Sequence, residues 1–193
     1  MRGYENTNRQ LNNKGFSLIE LLVAVAVMAV LVGLAAYSVT LMNSGDPKRA
    51  SKTISGEIAS LRGNTLAVAG DWQYEIVNDG GTYKLYTYKN GQTQDYKSLG
   101  GRIKIYYKNK ADGTETLIEN NEKLIVKFAQ GSGKVSGLYS AESVDLESAT
   151  DVSGAGVTSV MATGYCTFKA TSSGGGSAED FKLYYETGTI VQD

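Results

Sequence analysis

KGFSLIE at residues 14–20 leads into an apolar stretch that continues to Met42. In the 27 residues from Phe16 to Met42, Glu20 is the only side chain that is charged at neutral pH. A helix rises about 1.5 Å per residue, so this stretch has a helical length of about 40 Å. The hydrocarbon core of a bilayer is about 30 Å thick, and residues 16–42 are therefore predicted to form a transmembrane helix.

Glu20 needs an explanation, because a carboxylate costs about 2.5–3.5 kcal/mol at the centre of a bilayer and less near its surface. A secretory signal peptide is one alternative, since Arg2, Arg9 and Lys14 precede the apolar stretch. The apolar region of a signal peptide is usually only about 7–15 residues long, however, whereas the stretch in this chain has 27 residues. A plain single-pass anchor is the other alternative. It leaves Gly15 and Glu20 unexplained, unless Glu20 lies in the first helical turn, where the helix dipole favours an anion.

The pattern of a basic residue, glycine, phenylalanine, three further residues and glutamate before a long apolar helix occurs here at Lys14, Gly15, Phe16 and Glu20. It resembles the prepilin cleavage and methylation motif of type IV pilins and type II secretion pseudopilins. The resemblance implies cleavage between Gly15 and Phe16 by a prepilin peptidase on the cytoplasmic side of the membrane. It also implies N-methylation of the new amine on Phe16.

The resemblance further implies that Glu20 takes part in subunit assembly, by pairing with the Phe16 amine of a neighbouring subunit. An opposite charge stabilises a carboxylate in a medium of low dielectric constant. A contact within one helix between Phe16 and Glu20, four residues apart, would also satisfy this requirement. The sequence leaves both arrangements open. Tyr37 occupies a position where many family members have proline, so no kink is predicted there.

These segments predict a leader peptide over residues 1–15, a transmembrane and filament-core helix over 16–42, and a soluble domain over 43–193. Three basic residues flank the span on each side, so charge does not decide its orientation. The resemblance places the leader in the cytoplasm. It implies a single-pass protein of the inner (cytoplasmic) membrane, with its soluble domain outside the cytoplasm and in a periplasmic or extracellular filament after assembly.

The predicted fold class is α+β, with the long N-terminal helix followed by an antiparallel sheet. Asp46 and Pro47 are typical of a helix start, as N-cap and first helical residue. Apolar residues then recur at helical spacing to about Ala67, at Ala50, Ile54, Ile58 and Leu61. This stripe is predicted to pack against the sheet.

From Trp72 onward, apolar and polar residues alternate in short runs separated by turns, which predicts an antiparallel meander. Asn90-Gly91 favours a type I′ hairpin. Residues 134–157 are rich in Ser, Gly, Ala and acidic side chains and are predicted to form a long loop. The predicted strands resume near Val160 and end in a strand, a turn at Thr187-Gly188 and a short strand. That ending loosely resembles H-type minor pseudopilins.

The residue types exclude several kinds of active site. The chain has no histidine, which removes the Ser-His-Asp triad and histidine-metal sites, and its single Cys166 is predicted to be a buried strand residue. The pair Glu119 and Glu122 matches the residue types of a glycosidase, but 20 acidic residues offer many such pairs. No enzymatic activity, catalytic residue, cofactor or small-molecule substrate is predicted. The acids of the long loop match no calcium-binding template, so no metal is predicted either; they are Glu142, Asp145, Glu147 and Asp151.

The predicted function is that of a structural, minor subunit of a type IV pilus or a type II secretion-type pseudopilus. The resemblance implies as partners a prepilin peptidase, other pilin subunits, the inner-membrane assembly platform and membrane lipid. The alternative is a binding module at the filament tip, for DNA uptake or surface adhesion, with tyrosines as stacking platforms; they are Tyr86, Tyr88, Tyr106 and Tyr184. No cluster of basic residues favours nucleic acid as a partner.

Overall fold

The computed structural model describes residues 18–29, 46–109, 113–142, 145 and 147–192. The chain divides into two compact units with the boundary after Met42, and each is described by itself. Gly15 and Phe16 lie outside the described residues, as do residues 30–42, the C-terminal part of the predicted transmembrane helix. The predicted boundaries of the leader and of the transmembrane helix stay predictions.

Helix α1, residues 18–29, belongs to the first unit, and every one of its side chains is exposed. Leu18 has 83% of its surface exposed and Met28 67%, although both are large apolar residues. Among the described residues, none of the helices combines the length and apolar character needed to cross a bilayer.

Helix α2, Pro47–Ala67, opens the second unit and has the predicted start. The Asp46 carboxylate accepts a hydrogen bond from the Arg49 N–H at 3.1 Å, and Pro47 occupies the first turn, where no N–H is required. The helix ends where Val68, in extended conformation, donates its N–H to the Asn64 carbonyl at 2.8 Å. The predicted stripe is confirmed, because its four residues are at most 3% exposed.

Asp46→Ala is expected to destabilise the protein by about 1 kcal/mol, because the Arg49 N–H loses its side-chain partner. Urea denaturation of the full chain in detergent micelles measures this change. Asp46→Asn keeps an acceptor oxygen and serves as the control with near wild-type stability. Equal losses in the two variants would contradict the capping role.

The described residues contain eleven strands: β1 (Trp72–Asp79), β2 (Thr82–Lys89), β3 (Gln92–Gly100), β4 (Ile103–Asn109), β5 (Thr116–Leu117), β6 (Glu122–Phe128), β7 (Val135–Glu142), β8 (Val157–Ser159), β9 (Tyr165–Ser172), β10 (Ala178–Tyr184) and β11 (Ile190–Gln192). Sheet A has the order β3-β2-β1-β6-β7-β8, and sheet B has the order β11-β10-β9-β4-β5. All paired neighbours are antiparallel.

The prediction of one antiparallel meander is wrong, because the strands form two sheets. After β3 the chain leaves sheet A, forms β4 and β5 in sheet B, and returns to sheet A with β6. Strand β4 pairs with the distant β9, with Ile105 opposite Ala170, and local alternation carries no information about such a partner. The predicted hairpin at Asn90-Gly91 is confirmed, because it joins the paired strands β2 and β3. Asn90 and Gly91 have φ of 50° and 79°, as a type I′ turn requires.

The predicted loop over residues 134–157 is also wrong in its first third, because Val135–Glu142 forms strand β7. Gly137 interrupts the alternation of apolar and polar side chains along this strand. A Cβ on Gly137 would lie 2.2 Å from Cε2 of Tyr139, so the ring of Tyr139 occupies the space of a side chain. The rest of the predicted loop connects β7 to β8.

One core joins α2 to the inner faces of both sheets. Helix α2 contributes its buried stripe, and the predicted burial of Cys166 is confirmed, since its side chain is fully enclosed. At the predicted Thr187-Gly188 turn, Gly188 has φ of 64°, and a Cβ there would lie 2.0 Å from the Gly133 carbonyl oxygen. Because the core contains residues of both sheets, each sheet has an inner face on the core and an outer face directed away from it.

Candidate functional site

The N-terminal candidate site is described through helix α1. Glu20 lies on one side of the helix together with Leu21, Ala24, Val25 and Met28, at spacings of one, four, five and eight residues. Residues four apart are neighbours on a helix surface, so a carboxylate borders an apolar stripe. Of the three predicted site residues, the structure describes Glu20 alone.

A family model described as the prokaryotic N-terminal methylation motif matches residues 10–36. The chain carries the signature of type IV pilins and pseudopilins. The match includes Gly15, Phe16 and Glu20 and ends before the soluble domain begins. No curated protein and no solved structure matches the chain.

The motif marks a pilin-like or pseudopilin-like protein that is processed by a prepilin peptidase and assembles with other pilin subunits. It is the motif of a structural family and not of an enzyme family. It also indicates a subunit that is first anchored in a membrane and then enters a filament. The predicted resemblance is thereby confirmed at the level of the pilin and pseudopilin signature, and the subtype stays a prediction.

The soluble domain contains a feature that the sequence did not predict: a buried ion pair on the outer face of sheet A. Glu75 on β1 and Lys123 on β6 are both completely shielded from solvent, and Lys123 Nζ lies 3.0 Å from Glu75 Oε2. Charged groups are almost never fully buried unless they are paired. The available sequence signal was weak: Glu75 directly precedes Ile76-Val77, and Lys123 directly precedes Leu124-Ile125-Val126.

A segment between β7 and β8 covers this ion pair, and we call it the strap (residue 145 and residues 147–151). Its backbone is held by side chains of the sheet. Lys123 Nζ donates to the Ser148 carbonyl at 2.7 Å, and Gln73 Nε2 donates to the Thr150 carbonyl at 2.9 Å. Thr150 N–H in turn donates to Glu75 Oε1 at 2.7 Å. Glu75 and Lys123 therefore neutralise each other's charge and also hold the strap in place through hydrogen bonds to its backbone.

The strap also covers two of the four tyrosines that were predicted as stacking platforms. Tyr86 and Tyr88 are 5% and 1% exposed, and the Tyr88 hydroxyl donates to the Glu147 carbonyl at 2.8 Å. Burial, reinforced by the nearby Glu75 carboxylate, raises the pKa of Tyr88 above its ordinary value. Tyr106 and Tyr184 lie on sheet B instead, so the four rings do not form one platform.

The acids of the predicted loop help to fold the strap. Asp145 accepts hydrogen bonds from the hydroxyl and the N–H of Ser148, and these bonds lower the pKa of its carboxyl. Asp151 accepts from the Ser153 N–H at 2.9 Å. Over the part of the chain that the structure describes, no group of three or more Asp, Glu, Cys or His side chains is placed to hold a metal ion.

Glu119 and Glu122 contact each other locally, through the backbone of the first and the carboxylate of the second. Glu122 Oε2 accepts a hydrogen bond from the backbone N–H of Glu119 at 2.7 Å, across the turn before β6. This contact closes the turn over residues 120 and 121, where Asn121 has φ of 65°. The Glu122 carboxylate is thus accounted for by the turn that it stabilises.

Proposed function

We propose that this chain is a structural subunit of a type IV pilus or a type II secretion-type pseudopilus. In this proposal the peptidase removes residues 1–15, methylates Phe16, and leaves the helix over 16–42 to pack against neighbouring subunits. The observation that carries the proposal is the methylation motif at residues 10–36, together with the exposed apolar side chains of α1, which lies within the matched residues. A filament core of packed helices would cover those side chains.

Glu20 has a specific role in the proposal: it pairs with the methylated amine of Phe16, which becomes the N-terminus after cleavage. A carboxylate surrounded by apolar side chains is destabilised without an opposite charge, and the new amine supplies one. The soluble domain over 43–193 then lies outside the cytoplasm. The proposed partners are the prepilin peptidase, other pilin subunits, the inner-membrane assembly platform and membrane lipid.

Gly15→Leu is expected to block cleavage, because a branched side chain replaces the glycine at the scissile bond. The full-length precursor should accumulate, fifteen residues longer than the processed chain, as seen on immunoblots of cells that contain the assembly machinery. Gly3→Leu is the matched control, since it makes the same replacement within the leader but outside the matched residues. Normal processing of Gly15→Leu would contradict the proposed cleavage site.

A further inference from the structure

The outer faces of the two sheets carry opposite charge. On sheet B, alternate residues of β4, β9 and β10 point away from the core, as the alternating burial of these strands shows. Four lysines and two carboxylates lie on or beside this face, which we call the basic face; they are Lys104, Lys108, Lys169, Lys182, Glu115 and Asp180. Glu115 pairs with Lys169 at 2.9 Å, so cations remain in excess.

The basic face is shaped as well as charged. Its centre is a shallow depression of about 370 Å³, lined in part by Tyr106, Lys108, Thr167 and Lys182. Lys104 is exposed, and Lys108 and Lys182 are partly exposed. An approaching anionic surface would therefore meet lysine side chains both on the rim and inside the depression.

The outer face of sheet A is acidic because of the strap. Residues 135–168 contain no lysine or arginine at all. The strap exposes three carboxylates, which we call the acidic face; they are Asp145, Glu147 and Asp151. The nearest lysines of sheet A do not offset these acids fully. Lys84 and Lys127 pair with Asp79 and Asp71, each at 2.7 Å, and Lys84 Nζ lies farther, 3.9 Å, from the Glu147 carboxylate.

We infer that the basic face of one subunit docks on the acidic face of a second copy of this chain. The inference rests on the proposed function and names a contact between soluble domains within the filament. The two faces belong to different sheets of one domain, and each points away from the core that the sheets share. A contact between two different faces is heterologous, and heterologous contacts that do not close generate helical filaments. Charge complementarity of this kind favours the correct orientation of the partners.

Cross-linking in intact cells tests the contact on the full chain. Lys108→Cys and Glu147→Cys place one thiol on each face, and the native Cys166 is fully buried and does not compete. With a short bismaleimide, the double variant is expected to give a ladder of dimers, trimers and longer species. Each single variant is expected to stay monomeric, since each carries a thiol on one face only. Ready dimer formation by a single variant, or a monomeric double variant inside assembled filaments, overturns the inference.

Charge reversal provides a second test. Lys104→Glu with Lys108→Glu, and separately Glu147→Lys with Asp151→Lys, should each reduce incorporation into filaments about tenfold or more, because like charges then oppose each other. All four substitutions in one chain restore complementarity and should restore incorporation. Unchanged incorporation of both double variants, with the leader removed normally, overturns this inference and leaves the proposed function intact. A leader that is never removed overturns the proposed function instead.

Discussion

Lys123→Met is expected to lower the free energy of unfolding by about 3–5 kcal/mol, because it leaves the Glu75 carboxylate buried without a counter-charge. The Ser148 carbonyl also loses its hydrogen-bond donor, so the strap is expected to loosen. Urea denaturation of the full chain in detergent micelles measures the loss of stability. Hydrogen exchange at the Thr150 amide, which donates to Glu75 Oε1 in the wild-type chain, reports the loosening of the strap.

A matched control comes from the ion pair between Lys134 and Glu186, whose N···O distance is 2.8 Å. Its side chains are 55% and 81% exposed, and exposed pairs contribute little to stability. Lys134→Met should therefore leave the free energy of unfolding unchanged within error. The double variant Lys123→Met with Glu75→Gln removes both charges and should recover a large part of the loss. Equal effects of the two Lys→Met replacements would contradict the role assigned to the buried pair.

Glu20→Ala is expected to abolish incorporation into filaments while leaving removal of the leader largely intact. Without the carboxylate, the positive amine of Phe16 has no partner among the apolar side chains of the packed helices. The measurement is an immunoblot of sheared filaments beside a membrane fraction, with the processed chain quantified in both. Glu119→Ala removes an exposed acid of the soluble domain and should assemble normally. Normal incorporation of Glu20→Ala would contradict the pairing role.

Coexpression separates the two arrangements left open for Glu20. If the pair forms between neighbours, wild-type subunits should draw some Glu20→Ala chains into mixed filaments, because each wild-type carboxylate can accept an adjacent amine. If the pair forms within one helix, each variant chain carries its own unpaired amine whatever its neighbour. Coexpression would then leave the variant in the membrane.

Local features of the fold were predictable from local chemistry. The capping residue Asp46, the stripe beginning at Ala50 and the Asn90-Gly91 hairpin all appear where short-range rules place them. The long-range features were not predictable. The pairing of β4 with β9 joins residues about sixty positions apart, and nothing in the alternation of either strand names its partner.

The strap was missed for a related physical reason. Its residues are small, polar and acidic, which is typical of a solvated loop, and its anchors are backbone carbonyls that a sequence pattern does not display. Glu75 and Lys123 are separated by 48 positions, so only the pairing of β1 with β6 brings them together. At the N-terminus, by contrast, four residues and one apolar run suffice to predict the motif, because it is a linear segment that the family model matches directly.

The N-terminus of the protein recovered from filament-forming cells tests the central claim most directly. Mass spectrometry of the intact chain and of its first peptide is expected to show a chain that begins at Phe16, with one methyl group on the new amine. A chain that retains residues 1–15 in cells with an active prepilin peptidase would contradict the assignment of this protein as a processed filament subunit.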